Sequence, residues 1–291
     1  MLAEPKLRRD KQAMTASADH IVDVLIAERA PRLTASAAWP TLRPLLYRML
    51  SYGKAVKMAD AVAAMSGRET FEHLSGLLHL KLQVHHLDRL PASDRCLVVC
   101  NHPTGIADGL AVYDALKSRR DDQIYFANAD ALRVSPRLSE TIIPVEWVLS
   151  KRTREKTRLT LQSAKAAFET ERCVVMFPAG RLARVEGGQL TDPEWATTAA
   201  SLARKFNAPI IPIHLTGPTS RLFHLFDRFS QELRDITLFH ELLNKQQQRF
   251  ELIIGKPIDP LRLNPDAAQA TLDLKHFVER TLPADPDAEL V

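Results

Sequence analysis

Short apolar runs closed by polar loops recur through the last two thirds of the chain. Cys96–Cys100, Ile124–Ala127, Ile142–Trp147, Cys173–Phe177, Pro209–Leu215 and Phe250–Gly255 each read as a strand, because a brief continuous apolar run bounded by Gly, Pro, Asn or Asp suits a strand buried on both faces. A further strand near Leu82–His86 leads into the Pro91-Ala92-Ser93-Asp94 turn. Between these runs the apolar period lengthens. One helix is expected to begin near Asp108, with Leu110, Tyr113, Ala115 and Leu116 among its apolar positions. Thr153–Phe168 places Leu161, Ala164 and Phe168 on one face, and Asp266–Thr281 is helical too. Such alternation predicts an α/β fold, a mostly parallel sheet flanked by helices.

The earlier part of the chain has a different pattern. A polar arm runs to about Ala18, and helices follow to about Leu82. The expected organisation is therefore an N-terminal helical segment, 1–85, joined to a larger α/β domain, 86–291. Between Trp39 and Met65, Leu42, Leu45, Leu46, Met49, Leu50, Val56 and Met58 interleave with Arg43, Arg48, Lys54 and Lys57. That face, edged with cations, suits an anionic membrane surface or ordinary packing on the core. Ser220–Gln248, rich in Leu and Phe, suits a core helix or an acyl-chain wall, and the acidic tail after Leu282 is expected to be loose.

The chemistry begins where the Cys96–Cys100 run ends. Asn101-His102-Pro103-Thr104-Gly105-Ile106-Ala107-Asp108 places a histidine just beyond a buried strand and a carboxylate six residues later. The C-terminal edge of an α/β sheet is where such folds keep their sites. A carboxylate bonded to one imidazole nitrogen fixes the tautomer and stabilises the cation formed when the other nitrogen takes a proton. The plainer alternative is that Asp108 only caps the helix while His102 bonds locally in a turn.

Two further strands end in similar loops. Cys173–Phe177 leads into Pro178-Ala179-Gly180-Arg181-Leu182-Ala183-Arg184, and Pro209–Leu215 leads into Thr216-Gly217-Pro218-Thr219-Ser220-Arg221. Arg181 and Arg184 beside Gly180 suit an anion, since guanidinium forks grip its oxygens and an unhindered backbone N–H can approach them. Solvated surface is the alternative for an arginine pair.

Taken in order, Asn101-His102-Pro103 with Asp108, Phe177-Pro178-Ala179-Gly180 with Arg181 and Arg184, and the Ile211-Pro212-Ile213 strand resemble the glycerolipid (lysophospholipid) acyltransferases, in particular a haemolysin-like branch related to ornithine-lipid acylation. The likeness runs from about Leu25 to Ile258, supported by Asn128–Arg133, Ile143–Trp147 and Glu241–Lys245. The resemblance implies a glycerolipid-type O-acyltransferase in lipid biosynthesis, with His102 as the base that deprotonates an acceptor hydroxyl and Asp108 orienting it. It implies that Phe177, Pro178, Gly180, Arg181 and Arg184 bind substrate. Implied partners are an acyl-carrier protein (ACP) or coenzyme A (CoA) thioester as donor and a lysophospholipid-like acceptor. The third family motif, Phe-Pro-Glu-Gly-Thr-Arg, is altered: Ala179, Arg181 and Leu182 replace its Glu, Thr and Arg. Most of the family also has one residue fewer between the histidine and the aspartate. These departures admit an amino-acid lipid of the ornithine type as acceptor, or a catalytically idle lipid-binding protein on the same fold.

A thioester is already activated, so a positioned base, two oriented substrates and some oxyanion stabilisation suffice. Backbone N–H groups of the Phe177–Arg181 turn are candidate oxyanion donors. No cofactor is expected beyond the thioester co-substrate. A catalytic zinc site wants three protein ligands, and His85-His86 lacks a helical metal register, so no metal is expected. Neither a P-loop nor a G-x-G-x-x-G pattern is present, and Gly187-Gly188 reads as a plain turn.

Composition narrows the picture further. At 291 residues and 45% apolar content the chain can bury a substantial core. The net charge of +4 suits an anionic membrane or an acidic carrier protein. Basic residues mixed with acids, 6% aromatic content and the lack of any recognisable module argue against nucleic acid. Cys96 and Cys100 lie ~13 Å apart along one strand, too far for a disulfide. Reduced thiols, no secretory signal and no long apolar span point to a cytoplasmic protein, peripheral on the cytoplasmic face of a membrane.

Overall fold

The computed structural model describes residues 19–146, 151–186 and 189–290. The expected polar arm, the end of the strand expected to reach Trp147, and the Gly187-Gly188 turn lie outside them. Five helices come first: α1 (Ile21–Arg29), α2 (Pro31–Thr34), α3 (Trp39–Met49), α4 (Tyr52–Val62) and α5 (Gly67–Leu78). The last begins at a reciprocal cap, in which Glu69 N–H donates to the Ser66 hydroxyl and Ser66 N–H donates to the Glu69 carboxylate. Strands and helices then alternate through β1 (Lys81–His85), β2 (Cys96–Cys100), α6 (Ile106–Leu116), β3 (Ile124–Asn128), α7 (Ala131–Val134), β4 (Ile142–Val145), α8 (Arg154–Glu169) and β5 (Cys173–Met176). A small hairpin, β6 (Arg184–Glu186) with β7 (Gln189–Thr191), interrupts the alternation. The chain continues with α9 (Thr198–Phe206), β8 (Ile210–Thr216), α10 (Arg221–Phe229), α11 (Gln231–Asp235), α12 (Leu238–Leu243), β9 (Arg249–Ile254), α13 (Ala267–His276) and α14 (Leu282–Ala284).

Seven strands form one sheet in the order β1-β9-β8-β2-β5-β3-β4, parallel at every pairing except β8 with β9. The central strand β2 shows why its sequence is apolar throughout. Cys96, Val98 and Cys100 enter one core layer while Leu97 and Val99 enter the other, all fully buried, as period-two alternation requires of a strand covered on both faces. The first layer is closed by α6 with Met58, Leu78 and Leu242, and the second by α8, α9 and α13. Because β8, β2 and β5 are parallel neighbours, their C-terminal loops meet at one edge of the sheet.

Several expected boundaries shift. The 1–85 segment ends in β1, which pairs with β9 as a strand of the sheet, and Met58 and Leu78 share the core of the α/β layers. The amphipathic Trp39–Met65 stretch is two helices, broken at Ser51, whose φ is 58°. The helix expected near Asp108 starts at Ile106, because Gly105 can turn the chain there. The tail after Leu282 is not loose: Arg89 bonds Pro286 O and the Asp287 carboxylate, and Ala288 and Leu290 pack on the second core layer.

Candidate active site

Asn101 fixes the point from which the loop after β2 departs. Its Nδ2 donates to Leu215 O at 2.9 Å, and Leu215 N–H donates to its Oδ1 at 2.7 Å. The side chain thus ties the end of β2 to β8, and His102 follows immediately. The His102 Nδ1 stands 2.9 Å from Asp108 Oδ2. Asp108 is wholly buried and also accepts from Thr104 N–H at 2.9 Å, from Gly105 N–H at 3.0 Å and from the Thr104 hydroxyl. It lies in the first turn of α6, where the partial positive charge of the helix favours an anion. Capping and ring-holding are therefore both present in one carboxylate. An acceptor already receiving three other donors takes the fourth from the ring, which places the hydrogen on Nδ1 and leaves the Nε2 lone pair free to act as base.

The His102 main chain is held as firmly as its ring. Its N–H donates to both carboxylate oxygens of Asp192, each at 3.1 Å, and its carbonyl accepts from Ala183 N–H at 3.0 Å. Asp192 follows β7, is 3% exposed, accepts from Trp195 Nε1 at 2.9 Å and donates its own N–H to Glu279 at 2.8 Å. Burial pushes its carboxyl up to about 6, against the opposing pull of the His102 charge and the Trp195 bond. Neither Asp192 nor the bracing roles of Asn101 and Thr104 were assigned from sequence. Asp192 sits 90 residues from His102 with no motif around it.

The His102 ring lies beside Phe177, with centroids 4.6 Å apart and planes 32° from parallel. Both line a cavity of about 320 Å³, together with Gly180, Arg181 and Leu182. Its remaining wall is mostly hydrocarbon, including Met58, Phe71, Leu110, Tyr125, Phe239 and Leu242. The Ser220–Gln248 stretch thus supplies wall through α12, while Phe223 of α10 is core.

Arg181 is exposed and has no ion pair among the described residues. Arg184 does not join it in a grip. It opens β6, outside the cavity wall, and its Nε lies 4.0 Å from Asp227 of α10. Pro178 is buried outside the wall as well, its carbonyl accepting from Ala196 N–H at 3.0 Å. Gly180, with φ 60°, donates its N–H to Phe177 O at 3.0 Å. That N–H closes the turn, so this one of the Phe177–Arg181 backbone N–H groups expected as oxyanion donors is already engaged. Cys100 is buried in the sheet, and burial pushes its thiol well up, which suits a core residue rather than a nucleophile. Among the described residues no cluster of three His, Cys, Asp or Glu has metal-holding geometry.

Residues 81–216 match the family model described as Acyltransferase. The chain is 27% identical over 198 residues to the lyso-glycine lipid O-acyltransferase of Phocaeicola vulgatus, covering 66% of this chain and 69% of that protein. It is 24% identical over 198 residues to the Bacteroides thetaiotaomicron protein of the same name, covering 66% of this chain and 71% of the relative. Among solved structures, the 1-acyl-sn-glycerophosphate (LPA) acyltransferase PlsC of Thermotoga maritima aligns with a TM-score of 0.49 and 12% identity, covering 89% of this chain and 97% of that one.

Proposed function

We propose that this chain is a lipid O-acyltransferase of the glycerolipid and lysolipid type and that it acylates the hydroxyl of a lyso-amino-acid lipid, with His102 as general base and Asp108 as the group that orients it. The observation that carries the mechanism is the 2.9 Å contact between His102 Nδ1 and the buried Asp108, beside a hydrocarbon-walled cavity. His102 Nε2 takes the acceptor proton as the hydroxyl oxygen attacks the thioester carbonyl. The resulting tetrahedral oxyanion collapses, the C–S bond breaks, and the departing thiolate receives the proton from His102. Asp108 steadies the transient imidazolium. The cavity holds acyl chain, each buried methylene contributing about 0.8 kcal/mol.

The acceptor follows from the loop after β5 and from the relatives. Leu182 replaces the arginine of the family motif, and of the two arginines at the cavity Arg29 is paired with Asp130, which leaves Arg181 without an ion pair among the described residues. One guanidinium suits a single carboxylate such as an amino-acid head group carries. The relatives named for lyso-glycine lipids favour the same class. The donor is an ACP or CoA thioester, and the protein works peripherally on the cytoplasmic face of a membrane.

Purified protein supplied with acyl-ACP or acyl-CoA and a panel of lysolipids tests this reading. Thioester loss coupled to acylation of a lyso-glycine or lyso-ornithine lipid, and its absence in His102→Ala, is the expected result. Equal rates in the variant remove His102 from the mechanism, and preference for lysophosphatidate overturns the acceptor.

A further inference from the structure

We propose that Asp192 is a second functional carboxylate of this site, a positioning residue whose negative charge holds the His102 main chain and favours the imidazolium formed during acyl transfer. The inference rests on the general-base reading of His102 and goes beyond it, since nothing in the mechanism so far requires a second acid.

The geometry is that of a clamp with a charge in it. Both Asp192 oxygens accept from one N–H, that of His102, at 3.1 Å. The same loop system grips the His102 carbonyl through Ala183. His102 is therefore held at three points: Asp108 on the ring, Asp192 on the N–H and Ala183 on the carbonyl. A neutral acceptor satisfies a backbone N–H just as well, yet the chain buries an ionisable group there with 3% exposure. The groups that face it set its charge. From the β2 loop come His102, whose positive form attracts the carboxylate, and the Cys100 thiol at the strand end. From its own loop comes the Trp195 N–H. From the π-helical stretch Phe277–Thr281, which continues α13, comes Glu279, a like charge itself paired with Lys275 at 2.7 Å, while neighbouring Arg280 donates to the Thr191 hydroxyl. The balance leaves burial dominant, so the carboxyl is pushed up to about 6 and gains its charge as pH rises through that value.

Charge and stability then run in opposite directions. The Asp192 carboxyl is raised on folding from 3.8 to about 6, so between those values the folded state binds more protons than the unfolded one. Its contribution to stability therefore falls as pH rises through that window. If the anion also assists His102, its contribution to rate rises over the same window. A residue that merely supports the loop makes rate and stability move together.

The test compares wild type with Asp192→Asn, which keeps a carbonyl acceptor for the His102 N–H and removes the charge, measuring kcat, KM and Tm from pH 5 to 8. Above pH 7, kcat of Asp192→Asn is expected to fall on the order of ten- to a hundredfold, with acceptor KM little changed. The rate ratio of wild type to variant should shrink as pH drops through 6, where wild type loses the same charge. The Tm advantage of wild type should instead grow toward low pH. Glu279→Gln, which removes the like charge that raises Asp192, should move the convergence to lower pH. It also keeps the question answerable if Asp192→Asn folds poorly. A rate ratio independent of pH, or wild-type kcat in Asp192→Asn, overturns the proposal. Activity surviving in His102→Ala overturns the general-base reading instead.

Discussion

Asp108 has four donors converging on two oxygens, and each donor is lost differently on substitution. In Asp108→Ala the His102 ring, Thr104 N–H and Gly105 N–H all lose their acceptor. Each buried group so stranded costs about 1–3 kcal/mol. That variant should melt well below wild type and, on the proposed mechanism, lose about 10²–10⁴-fold in turnover as the His102 ring loses its orientation; a thermal melt and a thioester assay check both. Asp108→Asn retains one carbonyl acceptor and should recover much of the stability but little of the rate. The two arginines separate in the same way. Arg181→Ala should raise acceptor KM more than it lowers kcat, whereas Arg184→Ala, already directed at Asp227, should leave acceptor KM near wild type. Equal KM effects in both variants relocate the anion site. His102 with Asp108 was legible because both lie in one short stretch of chain, where the six-residue spacing allows the contact that the structure makes. Asp192 was not, because its contact depends on how the hairpin β6–β7 folds back over the loop. Arg184 was misplaced for a related reason, since its partner comes from a helix whose position no local pattern records.

The elements that make the site are three parallel strands ending side by side, and this much the apolar runs did show. What they left open was the exact entry into α6. Gly105 sits at φ 94° and ψ −138°, and a Cβ there meets the Leu182 side chain at 3.1 Å. The backbone region is essentially restricted to glycine. Gly105→Ala should therefore cost about 1–3 kcal/mol and, by moving the N–H that bonds Asp108, should reduce turnover as well. Unchanged stability and activity, measured by melt and assay, indicate that the loop relaxes without disturbing the carboxylate. The Ser220–Gln248 region resisted reading because its leucines and phenylalanines serve two environments. Those of α12 wall the cavity, whereas Leu222 and Phe226 of α10 pack on the cluster of Val22, Ile26, Leu50 and Ala59. Leu242→Ala enlarges the cavity and should shift acyl preference toward longer chains, at a stability cost of about 2–5 kcal/mol. A chain-length series with the variant checks this, and an unmoved optimum places the acyl chain elsewhere.

At the scale of the whole molecule, the question is how a lipid substrate reaches a site at the edge of a sheet. Among the described residues no helix is long and apolar enough to cross a membrane. The N-terminal helices nevertheless leave hydrocarbon uncovered: Leu42, Leu45 and Met49 of α3 are 39%, 63% and 40% exposed, at helical spacings that put them on one stripe. Arg43 and Arg48 flank that stripe. On α10, Leu225 and Phe229 are 49% and 77% exposed. Both helices pack on the same cluster, through Trp39 and Tyr47 from α3 and Leu222 and Phe226 from α10. Apolar side chains flanked by cations, as on α3, suit the surface of an anionic leaflet. Co-sedimentation with vesicles containing anionic lipid should retain the wild-type protein and should weaken as salt is raised. Leu45→Asp with Met49→Asp should lose most of that binding, because each carboxylate must otherwise be carried into the interface. The same double variant should keep its turnover on a short-chain, water-soluble acceptor, since neither residue lines the cavity. Undiminished vesicle binding in that variant excludes α3 as the contact, and loss of soluble turnover shows that the substitutions damaged the core rather than the surface.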